Sequence, residues 1–137
     1  MLIRNCAGGV VFFGDRVFLL QNDKGEWVFP KGVIRPGEKT YEVALKRVKV
    51  ETGLTADIFT TAGQTYYEFF SNTRRMPVSN RITWYVMTTQ SEQYEIDKSQ
   101  GFLGGEWFSI KDASETITYS QDRSLLHIAY DKLLNTK

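Results

Sequence analysis

Cysteine is almost absent from this 137-residue sequence, because Cys6 is its single thiol. One cysteine excludes an internal disulfide and any zinc site built from cysteines alone, and it is typical of a reducing compartment. An excess of one charge is also missing, since 17 Lys and Arg residues offset 16 Asp and Glu residues. The net charge of +1 excludes a strongly basic, charge-driven nucleic-acid binder, so we do not expect nucleic acid as a partner.

Long hydrophobic runs are missing as well. The apolar stretch near the start, Val10 to Phe13, ends at Gly14 and is shorter than a signal peptide or a membrane span of about 20 residues requires. We therefore expect a cytoplasmic protein without a membrane segment. The sequence also lacks a nucleophile elbow, a GxGxxG motif, a Walker loop and zinc-ligand spacing.

What the sequence does contain predicts one α/β domain over residues 1–137, because 42% of the residues are apolar. Apolar runs and turn residues predict strands over residues 2–13, 16–21, 57–71, 81–89 and 106–110. Loops are predicted over residues 31–39, 72–80 and 90–104. Helices on either side of a mixed β-sheet are the architecture that this order favours.

Two helices are predicted, one over residues 40–51 and one that starts at Ser120. Thr40 is a candidate N-cap, Glu42 lies in the first turn, and Gly53 suits the C-terminal stop. The spacing predicts a core face formed by Tyr41, Ala44, Leu45 and Val48.

The stretch from Gly32 to Leu54 resembles the Nudix box of MutT-like hydrolases. That box has a glycine, five residues, a glutamate, seven residues and then R-E-aliphatic-x-E-E-x-G-aliphatic. The positions in register are Gly32, Glu38, Val48, Glu51, Gly53 and Leu54. The lead-in WVFPKG before the box is similar to that of Nudix hydrolases acting on dinucleoside polyphosphates, and EWFSI with the last helix is similar to the closing elements of the family.

Three positions depart from the box. Its arginine is Lys46 here, its next glutamate is Arg47, and the first of its paired glutamates is Val50. Residues 47, 50 and 51 are spaced i, i+3 and i+4, so they share one helix face. The resemblance implies that three carboxylates there bind Mg²⁺ or Mn²⁺, which prefer oxygen ligands and activate water for attack on a pyrophosphate.

The resemblance implies a role for each box residue that remains. Glu51 and the Gly32 carbonyl are the expected metal ligands, and Glu51 and Arg47 are the expected catalytic pair. Arg47 is expected to contact phosphate, or otherwise to be a solvated helix charge that pairs with Glu51. Glu38, Lys46 and Gly53 are structural box positions, with Lys46 tying the loop to the helix through Glu38 but without the fork of an arginine.

Further candidates flank the box or lie on the sheet. Lys31 and Arg35 are candidate phosphate contacts beside the box loop, although Arg35 is also compatible with a free loop charge. Tyr67 and Tyr85 are candidates for stacking on a nucleobase. The predicted 90–104 loop offers candidates for a replacement base or metal ligand, namely Glu92, Glu95 and Asp97. His127 is expected to be a surface residue.

The resemblance implies a pyrophosphohydrolase that uses Mg²⁺ or Mn²⁺ to cut a nucleoside diphosphate-linked compound. Because Arg47 and Val50 replace two glutamates, we expect weak or altered metal-dependent catalysis. The alternative is a non-hydrolytic Nudix-fold module that binds a nucleotide or an RNA end. The expected partner is a small nucleotide, and exposed aromatic side chains on the 64–70 and 82–87 strands would permit a homodimer.

Overall fold

A computed structural model describes residues 1–135 of the chain. Within them lie seven strands and three α-helices. The strands are β1 (Leu2–Phe13), β2 (Arg16–Asn22), β3 (Trp27–Val28), β4 (Lys31–Val33), β5 (Ala56–Ser71), β6 (Met76–Thr89) and β7 (Phe102–Ser109). The helices are α1 (Thr40–Thr52), α2 (Ile110–Thr116) and α3 (Ser120–Asn135), and a short 3-10 turn covers Lys98–Gln100.

The sheet is mixed, as predicted. Its main path runs β3-β2-β1-β6-β5, while β4 pairs with β1 and β7 pairs with β2. The β1–β6 pairing is parallel and the other pairings are antiparallel. The predicted strands over residues 2–13 and 16–21 form a hairpin, with Phe12 opposite Val17.

Helices cover both faces of this sheet, which confirms the predicted α/β architecture. On one face, α1 packs through Val43, Ala44 and Val48 onto one apolar cluster. On the other face, α3 packs through Leu125, Leu126 and Ala129 onto a second cluster that contains Trp84. The strand β6 serves both clusters, because Trp84 and Met87 point to opposite faces.

Helix α1 ends where the sequence predicts, but its beginning differs. Thr40 is the first helical residue rather than the N-cap, and the N-cap Lys39 makes no side-chain capping bond. Tyr41 is exposed and Val43 is buried instead. The core face is centred on residues 44, 48 and 51, and this places position 41 at its solvent edge.

Three predicted loops contain regular structure. Residues 31–33 form β4, because they continue the sheet beside residues 6–8 of β1. The predicted tip over residues 72–80 shortens to a turn, and β6 already begins at Met76. Pro77 is tolerated there because the pairing with β1 starts only at Val78. Likewise β7 begins at Phe102, inside the predicted 90–104 loop.

Helix α2 was not predicted. The expected 106–110 strand ends at Ser109, and Ile110 already belongs to the helix. The Ser109 hydroxyl accepts a hydrogen bond from the Asp112 backbone N–H at 3.1 Å, which caps this short helix. His127 lies exposed on α3, as expected, and its Nε2 is 2.9 Å from the Ser114 hydroxyl oxygen.

Candidate functional site

The box glycine is held in the sheet by the pairing of β4 with β1. Gly32 lies opposite Ala7, and the Gly9 N–H donates to the Pro30 carbonyl at 3.1 Å. Both ends of the WVFPKG segment are therefore anchored, since Trp27 pairs with Gln21 of β2. This anchoring fixes Lys31 and Gly32 against the adjacent helix α1.

The loop between β4 and α1 closes on itself through Glu38. The Arg35 N–H donates to the Glu38 Oε1 at 2.8 Å, and the Glu38 N–H donates to the Arg35 carbonyl at 3.0 Å. Within residues 1–135, no ion pair joins Glu38 to Lys46. The expected tie between these two side chains does not form, because Glu38 is engaged by the backbone of its own loop.

Gly53 terminates α1 in the way its position predicts. Its φ of 76° is left-handed, and its N–H donates to the Lys49 carbonyl at 2.9 Å. A Cβ at this position would lie 2.9 Å from the Glu95 backbone nitrogen. Glycine is therefore required both by the helix end and by the segment that crosses it.

Arg47 and Glu51 form an ion pair on the face of α1 that turns towards β4. Arg47 donates to the Glu51 Oε2 from Nε at 3.0 Å and from Nη2 at 2.6 Å. The Glu51 side chain is only 4% exposed, whereas that of Arg47 is 28% exposed. Arg47 also donates from Nη2 to the Gln100 Oε1 at 3.3 Å, which ties the helix to the 3-10 turn.

The Arg47 side chain fills the space in front of Gly32. A Cβ at Gly32 would lie 2.5 Å from both Cγ and Cδ of Arg47 and 2.8 Å from its Nε. Such distances are shorter than any ordinary contact, so the absence of a side chain at residue 32 is what admits the arginine. The guanidinium thus lies between the box glycine and the box glutamate.

Burial raises the pKa of Glu51 above its usual value, and the hydrogen bonds and charge of Arg47 act against that rise. The charge of Lys31 and its backbone amide also lower the Glu51 pKa, but burial dominates. A buried carboxylate in this position depends on its cationic partner for stabilisation. The pair is therefore a structural unit of the site rather than a surface contact.

These residues do not fit the divalent-metal site of the box pattern. Val50 offers no oxygen, Arg47 offers a positive charge, and the remaining Glu51 is already bound to that charge. In the part of the chain that the structure describes, no group of three or more His, Cys, Asp or Glu side chains is placed to hold a metal ion. Hard cations require several oxygen ligands, so the donor set is too small.

A cavity of about 730 Å³ opens on the α3 face of the sheet, and neither Arg47 nor Glu51 is among its lining residues. Lys31 and Tyr67, two of the predicted ligand contacts, both line it, together with Trp84 and Asp122. The Tyr67 hydroxyl accepts a hydrogen bond from the Asn80 Nδ2 at 2.6 Å, and its ring stacks on Phe69. Lys31 therefore borders both the aromatic cavity and the Arg47–Glu51 pair.

The mouth of the cavity carries charged and polar groups that sequence reasoning missed. The Tyr119 hydroxyl donates to the Glu26 carboxylate, which raises the pKa of Tyr119 to about 12. Burial raises the pKa of Asp122, and the charge of Lys31 opposes that rise. Within residues 1–135, the Asp122 carboxylate accepts no hydrogen bond, so its oxygens face the cavity unpaired.

The structure separates the remaining predicted residues from this cavity. Arg35 is exposed on the box loop and does not line it. Tyr85 packs against the α1 cluster, on the sheet face opposite the cavity, and burial raises its pKa. Tyr67 and Tyr85 therefore cannot contact one ring together.

In the described part of the chain, the carboxylates of the loop before β7 form no ion pair with Arg47. Glu92 forms an ion pair with Arg16, and Asp97 accepts hydrogen bonds from Ser99 at the start of the 3-10 turn. Glu95 donates through its backbone N–H to the Thr52 carbonyl at 2.9 Å, and its side chain is exposed. The residue of this segment that reaches the Arg47–Glu51 pair is Gln100, for which the sequence carried no signal.

None of the helices in the described residues is both long and apolar enough to span a lipid bilayer.

Comparison with known proteins gives the same fold. The asymmetrical bis(5'-nucleosyl)-tetraphosphatase of Mus musculus is 26% identical over 120 residues, which cover 86% of this chain and 80% of that protein. The RNA pyrophosphohydrolase of Erythrobacter litoralis is 37% identical over 62 residues, 40% of this chain. That match spans 37% of the Erythrobacter protein, and a match to a Mycobacterium tuberculosis relative spans 42% of its length.

Among solved structures, the Caenorhabditis elegans Ap4A hydrolase in a binary complex superposes with a TM-score of 0.72 at 20% identity. The superposition covers 98% of this chain and 99% of the nematode protein. The family model for the NUDIX domain matches residues 2–127, which is nearly the whole chain. The chain therefore belongs to the Nudix family.

Proposed function

We propose that the chain binds a nucleoside diphosphate-linked compound in the cavity bounded by Lys31 and Tyr67, and that it hydrolyses the phosphoanhydride only slowly. The observation that carries this proposal is the position of Arg47, which fills the space beside Gly32 and neutralises Glu51. A dinucleoside polyphosphate is the preferred class, because the relatives that match most of the chain include asymmetrical bis(5'-nucleosyl)-tetraphosphatases.

The placement of the ligand follows from the chemistry of the cavity walls. Aromatic side chains of the sheet, Tyr67 and Phe69, form the part of the cavity suited to a nucleobase. Lys31 supplies positive charge at the end nearest Gly32, where phosphate oxygens would be bound. From the cavity, the phosphates would extend past Lys31, whose charge acts on both Asp122 and Glu51, towards Arg47.

Slow turnover follows from the charges on one face of α1. The family uses Mg²⁺ or Mn²⁺ to activate water and to neutralise the pyrophosphate, and the box pattern supplies three carboxylates for that purpose. Here residue 47 carries a positive charge, residue 50 is uncharged and residue 51 carries a negative charge. The ground-state phosphate is still attracted by Lys31 and Arg47, but a group that activates water is missing from this face.

The test is to incubate the purified protein with Mg²⁺ or Mn²⁺ and a panel of dinucleoside polyphosphates, nucleoside triphosphates and ADP-ribose. We expect slow release of product from one class and measurable binding of it. Turnover as fast as that of a Nudix enzyme with a complete box would refute the impaired site. Binding without any turnover would identify a non-hydrolytic module instead.

A variant sharpens this test. Arg47→Glu with Val50→Glu restores the acidic face, and we expect it to gain metal-dependent hydrolysis if the cavity is otherwise intact. Arg74→Glu, in the turn between β5 and β6, is the matched control, because it changes the net charge in the same direction away from the site. No gain over this control would contradict the assignment of the cavity as the substrate site.

A further inference from the structure

Arg47 has unused hydrogen-bond donors. Its guanidinium carries five N–H groups, and the bonds from Nε and Nη2 to Glu51 and Gln100 account for three of them. Within residues 1–135, the two N–H groups of Nη1 donate to no residue. The Arg47 side chain is 28% exposed, and none of the described residues has a side-chain nitrogen that is both buried and unpaired, so Nη1 is accessible to solvent.

The guanidinium is also held in a fixed orientation. Glu51 is an almost fully buried acceptor at one edge, Gln100 binds Nη2 from the 3-10 turn, and Gly32 packs against the aliphatic part of the chain. Residues of α1, β4 and the 3-10 turn thus hold one side chain in place. A donor oriented in advance loses less entropy when it binds an anion.

The charges around this guanidinium favour an anion. Arg47 and Lys31 contribute two positive charges, and Glu51 contributes one negative charge. Three carboxylates on the same helix face, as the box pattern has them, would repel a diphosphate until a divalent cation was bound. In this chain, the Arg47 guanidinium supplies the positive charge that a bound divalent cation would supply to the box pattern.

We propose that Arg47 is a resident cation, which with Lys31 forms an anion site that binds the diphosphate of a nucleotide without a divalent metal. This inference rests on the proposed function and adds how the ligand's phosphates are bound. The two N–H groups of Arg47 Nη1 diverge from one nitrogen, so each can donate a charged hydrogen bond to a different phosphate oxygen. Glu51 and Gln100 are positioning residues that act through Arg47.

The experiment is calorimetric titration of the full chain with ADP, once in EDTA and once in Mg²⁺. We expect dissociation constants that agree within about threefold in the two buffers, because the protein supplies the counter-charge. Arg47→Gln should weaken ADP binding about tenfold or more in EDTA, as expected for loss of a charged hydrogen bond. Arg74→Gln, which removes one positive charge at the distant turn, should bind ADP like the wild type.

Two variants protect the test from misfolding. Arg47→Lys keeps the charge but loses the planar guanidinium and its fixed donor directions, and we expect intermediate affinity. Arg47→Gln with Glu51→Gln removes the pair without leaving a buried charge, and we expect it to fold and to bind as weakly as Arg47→Gln. Circular dichroism spectra that match the wild type establish folding for each.

Two results would overturn the inference. One is wild-type binding that weakens more than tenfold when Mg²⁺ is replaced by EDTA. The other is wild-type affinity in a folded Arg47→Gln variant. If either result is found and the wild type still binds a nucleotide of the panel in Mg²⁺, the proposed function stands and only the metal-free anion site is refuted. If no nucleotide binds in either buffer, the proposed function and the anion site are both refuted.

Discussion

Removal of Arg47 is the perturbation that tests the Arg47–Glu51 pair most directly. The Glu51 side chain is only 4% exposed beside Arg47, so Arg47→Ala leaves its carboxylate in a largely enclosed position without its ion-pair partner. Breaking a buried ion pair by removing one partner costs about 3–5 kcal/mol. Lys31 lies near enough to lower the Glu51 pKa, and Arg47 itself is 28% exposed, so we expect a cost below that range, about 2–3 kcal/mol.

The assay is urea unfolding at pH 7 of the wild type, Arg47→Ala, Glu51→Gln and the double variant. Glu51→Gln removes the buried charge, so adding Arg47→Ala to it should cost little more than the lost packing against Gly32. The cycle should therefore give a coupling energy of about 1–3 kcal/mol, the range found for residues in direct contact. Additive effects, or a cost below about 0.5 kcal/mol for Arg47→Ala, would refute the argument, because such values are typical of surface pairs.

Three further predictions concern the cavity. Trp84→Phe should lower the free energy of unfolding by about 1–3 kcal/mol in urea, because the buried indole N–H donates to the Thr65 hydroxyl at 2.8 Å; a change near zero would contradict this bond. Glu26→Gln should lower the Tyr119 pKa from about 12 towards 10, measured by phenolate absorbance against Tyr119→Phe, and an unchanged titration would contradict the contact. In the wild type, the stability that this raised Tyr119 pKa represents is fully present below pH 10 and is lost as the pH rises through about 12. Asp122→Asn should raise the melting temperature at pH 7, because the folded-state pKa of this aspartate is raised and its ionised form is disfavoured in the cavity. The gain should vanish below about pH 3.8, where the carboxyl group is protonated in both the folded and the unfolded state. A gain that persists at that pH would contradict this explanation.

The part of the site that the sequence predicted is local along the chain. Arg47 and Glu51 are one helical turn apart, so their contact follows from helix geometry alone. Gly53 as the helix end follows from its freedom to adopt a positive φ. The mixed sheet between helices followed from the order of strand and helix patterns.

The rest depends on tertiary placement. Gln100 reaches Arg47 across 53 residues of sequence, and no local pattern encodes that distance. Register shifts in β5, between Ile58 and Thr60 and between Thr61 and Gly63, change which side chains face the cavity. The alternation of side chains along each strand therefore could not predict that Tyr67 lines the cavity while Tyr85 lies on the opposite face of the sheet. Glu38 was predicted to bind Lys46, but the nearer backbone of its loop provides its partners.

The parallel pairing of β1 with β6 fixes the order in which the sheet can be completed. Leu2 pairs with Val78 and Phe12 with Thr88, so each pair joins residues 76 positions apart. During synthesis, β1 cannot complete its pairing with β6 until residue 88 has emerged from the ribosome. A nascent chain that stops earlier would leave β1 with an unsatisfied edge, and contacts of such long range slow folding. Assembly of this domain therefore depends on strand pairings of long sequence range rather than on the hairpin of β1 and β2 alone.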